Sequence, residues 1–162
     1  MTTTPQVTRV APRVEAPTPG RKVGYFVAAI VDGVLLYVVN NLLEWEWPSF
    51  LTDDFSRVLT ILNVSLVASL LVNLAWIVAD PVWFKSTSQI GLNAISMVVT
   101  IRMWQVFPFD FTPYDFPWET LARITLVAGM VGLVVGSIVE LVKLARWTAI
   151  QVGGGSSEER PA

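Results

Sequence analysis

The sequence has no cysteine and no histidine. The first absence excludes a disulfide framework and thiolate chemistry. Together they remove the usual ligands for zinc, copper and haem. Charge is scarce as well. Asp, Glu, Lys and Arg make up 15% of the chain, against about 25% in a typical soluble domain. Net charge is -2 and no basic stripe is present, so a nucleic-acid partner is not expected. There is no G-x-S-x-G, no Walker loop and no dinucleotide fingerprint. Without His or Cys, hydrolysis would need a Ser/Lys pair or two close carboxylates. The three lysines, Lys22, Lys85 and Lys143, fall at helix boundaries, and no pattern joins them to a serine. The expectation is a protein with no enzymatic activity, cofactor or metal.

What the chain has in quantity is apolar sequence. It is 53% hydrophobic, with mean hydropathy +0.56. That balance predicts an all-α integral membrane protein, a four-helix bundle of four transmembrane helices. The organising stretch is Leu121 to Leu144, LARITLVAGMVGLVVGSIVELVKL. It is long enough for a hydrocarbon core of about 30 Å at about 1.5 Å per residue. Ala128, Gly132 and Gly136 follow one another at four-residue steps and so share a helix face. Small residues in that spacing let a second backbone come close. This predicts that the other helices pack against the seam of the fourth.

Residues 1–20 hold Pro5, Pro12, Pro17 and Pro19 with many threonines. Such a segment buries too little to offset its conformational entropy, and a disordered tail is expected. The apolar run behind it is too long for a signal-peptide core, so the first helix is read as retained. The transmembrane domain is placed at 21–148. Its helices are predicted at about 23–43, 55–79, 89–107 and 118–147. Asp80-Pro81 ends the second, because the residue before proline is pushed out of helical geometry. Val82 to Thr87 reads as a loop with Ser88 as the next cap. Pro117 suits the first position of the fourth helix. A second disordered tail is expected over 149–162.

Orientation follows from the basic residues. The connections at 44–54 and 108–117 contain no Lys or Arg. Arg9, Arg13, Arg21, Lys22, Lys85, Lys143, Arg146 and Arg160 all fall at the other end. The positive-inside rule then puts both termini in the cytoplasm. Trp45, Trp47, Trp104 and Trp118 fall where an outer interfacial belt needs them, with Trp83 and Trp147 at the inner one. The arginine-rich, Ala/Val/Gly-rich composition points to a bacterial inner membrane.

Three groups of residues are candidates for function. Asp32 lies deep in the first helix. A carboxylate there costs at least about 2.5 kcal/mol, so it must face the bundle interior and have partners. Depth matching offers Ser69 and Asn73 on the second helix and Asn93 and Ser96 on the third. The group is either a proton or cation site or a clip that joins three helices. Arg102 comes next, in the outer half of the third helix, with Asn40, Asn41, Glu44 and Asn63 as candidate partners. It is either an interfacial anchor or the deep charge of a head-group pocket. Arg57 and Arg123, near Asp53, Asp54 and Glu119, read as an outer ion-pair rim. The outer loops form the third group. Acids there alternate with Trp45, Trp47, Phe50, Phe109, Phe111 and Tyr114. They either rest on the bilayer interface or dock a partner, since aromatic anchors supply much of the energy at protein interfaces.

Two functions are therefore expected to compete. One is a non-enzymatic accessory or scaffold protein, bound to a membrane-protein partner or to a second copy through the seam or the outer loops. The other is a minimal oligomeric transporter, channel or lipid-handling protein that uses Asp32 and Arg102.

Overall fold

A computed structural model describes residues 17–155. Of the tails predicted over 1–20 and 149–162, residues 1–16 and 156–162 lie outside the described residues. Among the described residues the chain forms α1 (Pro19–Asn41), α2 (Ser56–Val78), α3 (Val82–Val106) and α4 (Trp118–Gly155). A short 3-10 turn, Asp53–Phe55, leads into α2.

Several boundaries differ from the sequence reading. α1 starts at Pro19 rather than Val23. Proline suits the first turn because its missing N–H has no helical partner there, and Lys22 N–H already reaches Thr18 O at 3.0 Å. α2 ends as predicted, with Ala79 extended ahead of Asp80-Pro81. The predicted loop Val82 to Thr87 is not there. Pro81 itself opens α3, and Lys85 N–H bonds Pro81 O at 3.0 Å. Ser88 is accordingly not a cap. Its hydroxyl turns back onto Phe84 O at 2.6 Å and Lys85 O at 3.1 Å, the mid-helix alternative open to serine. α4 runs on to Gly155, through part of the segment predicted as a tail. No proline or glycine lies between Trp147 and Val152 to stop it.

The helices form an open row. α1 packs on α2, α2 on α3 and α3 on α4, and α4 makes no comparable contact with α1 or α2. This overturns the prediction that the others gather around α4. The less exposed positions on that helix include Leu126, Met130, Leu133, Ser137, Glu140 and Leu144. Their three- and four-residue spacing draws a stripe that faces α3. Ala128 and Gly132 fall off this stripe and are exposed. A Cβ added at Gly132 would meet nothing within 4 Å, whereas one at Gly136 would lie 3.4 Å from Asn93 Nδ2. Of the two seam glycines, only Gly136 approaches another helix.

Inside and outside are exchanged relative to a water-soluble protein. Asp32, Asn73, Asp80, Ser86 and Asn93 are buried, while Val27, Val31, Val34, Val131, Val134 and Ile138 lie on the surface. Polar groups at helix contacts are expected where the surroundings are hydrocarbon. Pro19–Asn41, Asp53–Val78 and Trp118–Ile150 are long and apolar enough to cross a membrane. α3 matches them in length at 25 residues. It falls short in composition because Lys85, Gln89, Asn93 and Arg102 interrupt it.

Candidate functional site

The polar residues along the helices form two pairs of helix contacts rather than one three-helix cluster. Asn73 Nδ2 on α2 donates to Asp32 Oδ2 on α1 at 3.1 Å and lies 3.3 Å from Ser69 Oγ. Asp32 and Asn73 are both buried. This part of the predicted group is assembled. Asn93 is also buried, but its amide donates to Ser137 Oγ on α4 at 3.3 Å, and its carbonyl accepts from Gln89 at 3.1 Å. Ser96 contributes its backbone carbonyl to Thr100 Oγ1. Asn93 and Ser96 therefore do not join Asp32. The open row explains this, because α3 turns its polar face to α4.

Arg102 stands apart. It is exposed and joins no hydrogen bond or ion pair among the described residues. Two of its candidate partners satisfy each other instead. Asn40 and Asn63 exchange amide hydrogen bonds of 2.8 Å in both directions. The rim itself forms without Arg102. Arg57 lies 3.2 Å from Asp54, and Arg123 lies 3.0 Å from Glu119. Arg123 also sits over the Phe107 ring at 4.2 Å and the Trp104 ring at 5.1 Å. No groove described below includes Asp32 or Arg102 in its wall.

The connections at 44–54 and 108–117 clasp each other. Leu51 and Phe109 form an antiparallel bridge. Thr52 N–H donates to Pro108 O at 3.0 Å, and Asp110 N–H donates to Phe50 O at 2.8 Å. Phe107 makes the turn that allows this. It caps α3 in the left-handed region, φ 43° and ψ 66°, a conformation uncommon for a bulky residue. Phe50, Phe109 and Phe111 then stack on one another, with ring centroids 5.2 to 6.2 Å apart. These aromatics are turned toward each other and not displayed as separate anchors. Trp47 remains on the surface, and Trp45 is exposed with its ring against Tyr37.

Beneath the clasp runs an apolar groove of about 500 Å³. Phe50, Phe109 and Phe111 roof it, and Trp118, Ala122 and Leu126 of α4 wall it. A second cavity of about 380 Å³ adjoins it and shares Phe109, Phe111, Tyr114 and Trp118. That cavity has a mixed wall, in which Asp110, Thr112 and Glu119 stand among aromatic side chains. The Thr112 hydroxyl at 2.7 Å and its N–H at 2.9 Å both donate to Asp110 Oδ1. These bonds, the hydroxyl's first, hold the Asp110 carboxyl below the usual carboxylate range. Comparison with protein-family models, curated proteins and solved structures finds no match.

A network at the opposite end escaped sequence reasoning. Asp80, which had read only as a helix stop, accepts from Arg21 at 2.6 Å and from the Tyr25 hydroxyl at 2.7 Å. Lys85 Nζ in turn donates to Tyr25 Oη at 2.8 Å and lies over the Tyr25 and Trp76 rings. Ser86 donates to Glu140 Oε2 at 2.9 Å, and Lys143 holds Oε1 of the same group. These contacts tie α1 to the α2–α3 turn and α3 to α4. The signal present in the sequence was the concentration of acids and bases at one end of every helix. The contacts between helices join residues more than fifty positions apart, and local spacing says nothing about that.

Proposed function

We propose that this chain is a four-span membrane protein with both termini on the cytoplasmic side, and that it works without chemistry of its own as a helix-docking accessory protein. Three helices carry the required length and apolarity. α3 supports a fourth span because it lies between α2 and α4 along a comparable length. The loop clasp lies at one end of the row, and the basic residues Arg21, Lys22, Lys85, Lys143 and Arg146 lie at the other. That separation supports the orientation.

The observation that carries the docking reading is the outer half of the α4 seam. Ala128 and Gly132 are exposed, and the space beside Gly132 is empty. An apolar surface in lipid needs no cover. A strip without side chains is different, because it admits a neighbouring backbone closely enough for dense packing. The occupant is a helix of a second membrane protein or of a second copy. The transporter alternative draws less support, since Asp32 is closed off by Asn73 and Arg102 lies elsewhere.

The test is gentle extraction from the native membrane, with mass and stoichiometry measured for the wild type and for Gly132→Leu. The wild type is expected to carry a stoichiometric second chain that the variant loses, with helicity unchanged. A monomeric wild type, or a variant that keeps the same partner, would overturn the reading. Orientation is read separately. The chain has no cysteine, so single cysteines at Lys22 and Asp115 report their sides to an impermeant maleimide. Asp115 labels from outside and Lys22 does not.

A further inference from the structure

The paired cavities at the outer end of α4 have the form of a site for an amphiphile. The apolar groove presents almost no uncommitted polar atom. Thr125, which reaches its wall, spends its hydroxyl on Leu121 O at 2.9 Å. Carbon-lined space of this size falls within the usual range for ligand pockets, about 300 to 1,000 Å³. Such a wall rewards hydrocarbon and penalises anything that must hydrogen-bond.

The adjoining cavity is mixed and brings carboxylates to one end of the pair. Asp110 commits Oδ1 to Thr112, and Glu119 commits Oε1 to Arg123. The second oxygen of each carboxylate has no protein donor among the described residues. The residues that wall this cavity carry two acids, Asp110 and Glu119, and no Lys or Arg. A hydrogen-bonding cation complements this end, because charge-assisted bonds to carboxylate are the stronger kind.

We propose that the two cavities together bind one membrane lipid, its acyl chain in the groove beneath Phe50, Phe109 and Phe111 and a primary ammonium head beside Asp110 and Glu119. The position fits a lipid rather than a soluble amine. The groove follows the first two turns of α4, a helix long and apolar enough to cross the membrane. The mixed cavity sits at the loop end. A chain entering sideways from the bilayer keeps its head at the interface. The proposal rests on α4 crossing the membrane and not on the partner assigned to Ala128 and Gly132, which lie further along the helix.

Native mass spectrometry of the detergent-solubilised chain tests it, with phosphatidylethanolamine and phosphatidylglycerol added at equal concentration. The wild type is expected to retain one phosphatidylethanolamine, in preference to phosphatidylglycerol by about tenfold, the ratio that one charge-assisted contact of ordinary strength supports. Ala122→Trp fills the groove and is expected to abolish retention of either lipid. Val131→Trp places the same ring on an exposed position of α4 and should retain lipid as the wild type does. Asp110→Asn should keep a lipid but lose the preference. Should Ala122→Trp fail to fold by circular dichroism, Leu121→Trp at the exposed rim decides in its place. Equal retention of the two lipids by the wild type would overturn the proposal. So would retention by a folded groove-filling variant. Neither result touches the docking reading, which is decided on Gly132.

Discussion

Asn73 on α2 donates its amide to the Asp32 carboxylate on α1 across 3.1 Å, with both side chains buried. A polar pair between helices in hydrocarbon contributes modestly, on average about 0.6 kcal/mol by double-mutant cycles. An abandoned partner costs more. Asp32→Ala strands the Asn73 amide and should destabilise the chain by about 1 to 3 kcal/mol, read as a lowered unfolding midpoint in micelles. Asp32→Asn keeps an acceptor for Asn73 and should be nearly neutral. If Asp32→Asn were as damaging as Asp32→Ala while folding stayed intact, charge at this position would matter and the structural role would be inadequate.

The ion pair between Arg21 and Asp80 is lopsided. Asp80 is 3% exposed at its side chain and Arg21 is 49% exposed. Removing one partner of a buried pair is costly when the remaining charge cannot reach water. Arg21→Ala leaves Asp80 with only the Tyr25 hydroxyl and should cost about 2 kcal/mol, toward the low end because half of Arg21 is already in solvent. Asp80→Asn leaves Arg21 free to rehydrate and should cost about 1 kcal/mol. Thermal unfolding of the two variants in one detergent gives the order. The reverse order would show that Asp80 does not depend on Arg21.

The sequence carried the number of helices and the apolar character of three of them, because those depend on runs of apolar residues, which are local. It also carried the stop at Asp80-Pro81 and the need of Asp32 for a polar partner, with Asn73 as one of four candidates beside Ser69, Asn93 and Ser96. It did not carry the neighbour relations. Ser137 offers no sign that it will meet Asn93, and Asn93 was as good a depth match for Asp32 as Asn73 was. The small seam was visible as a pattern, yet a seam predicts close approach without naming what approaches. The groove under Phe50 and Phe109 was equally hidden. The aromatics were legible, but the bridge between Leu51 and Phe109 that folds them into a roof joins residues from two separate loops.

Asp110 gives a prediction about acid. Its carboxyl titrates below its ordinary value of 3.8 because the Thr112 hydroxyl and N–H donate to it. A group whose folded pKa is depressed contributes stability that is present above the unfolded value and is lost as pH falls through the folded one. The loop contact between Asp110 and Thr112 should therefore hold through neutral pH and loosen only below 3.8. A carbon-13 titration of the Asp110 carboxyl should show a midpoint below that of an exposed aspartate, and Thr112→Val should move it upward. An unmoved midpoint in the variant would remove Thr112 as the cause.

Gly132 and Gly136 belong to one seam and should respond differently to the same change. A Cβ at Gly136 would lie 3.4 Å from Asn93 Nδ2, and one at Gly132 would lie in open space. Leucine at position 136 must push against Asn93, whose amide holds Ser137 across the α3–α4 contact. Overpacking of this kind costs about 1 to 3 kcal/mol, and the broken hydrogen bond adds to it. Leucine at position 132 meets nothing in this chain and has a better helix propensity than glycine. Gly136→Leu should lower the unfolding midpoint of the isolated chain, while Gly132→Leu should leave it unchanged or raise it. Any loss of function in Gly132→Leu must then come from outside the chain. Equal destabilisation by the two would mean that Gly132 is covered by a neighbour within the chain, and the docking face would have to be sought elsewhere on α4.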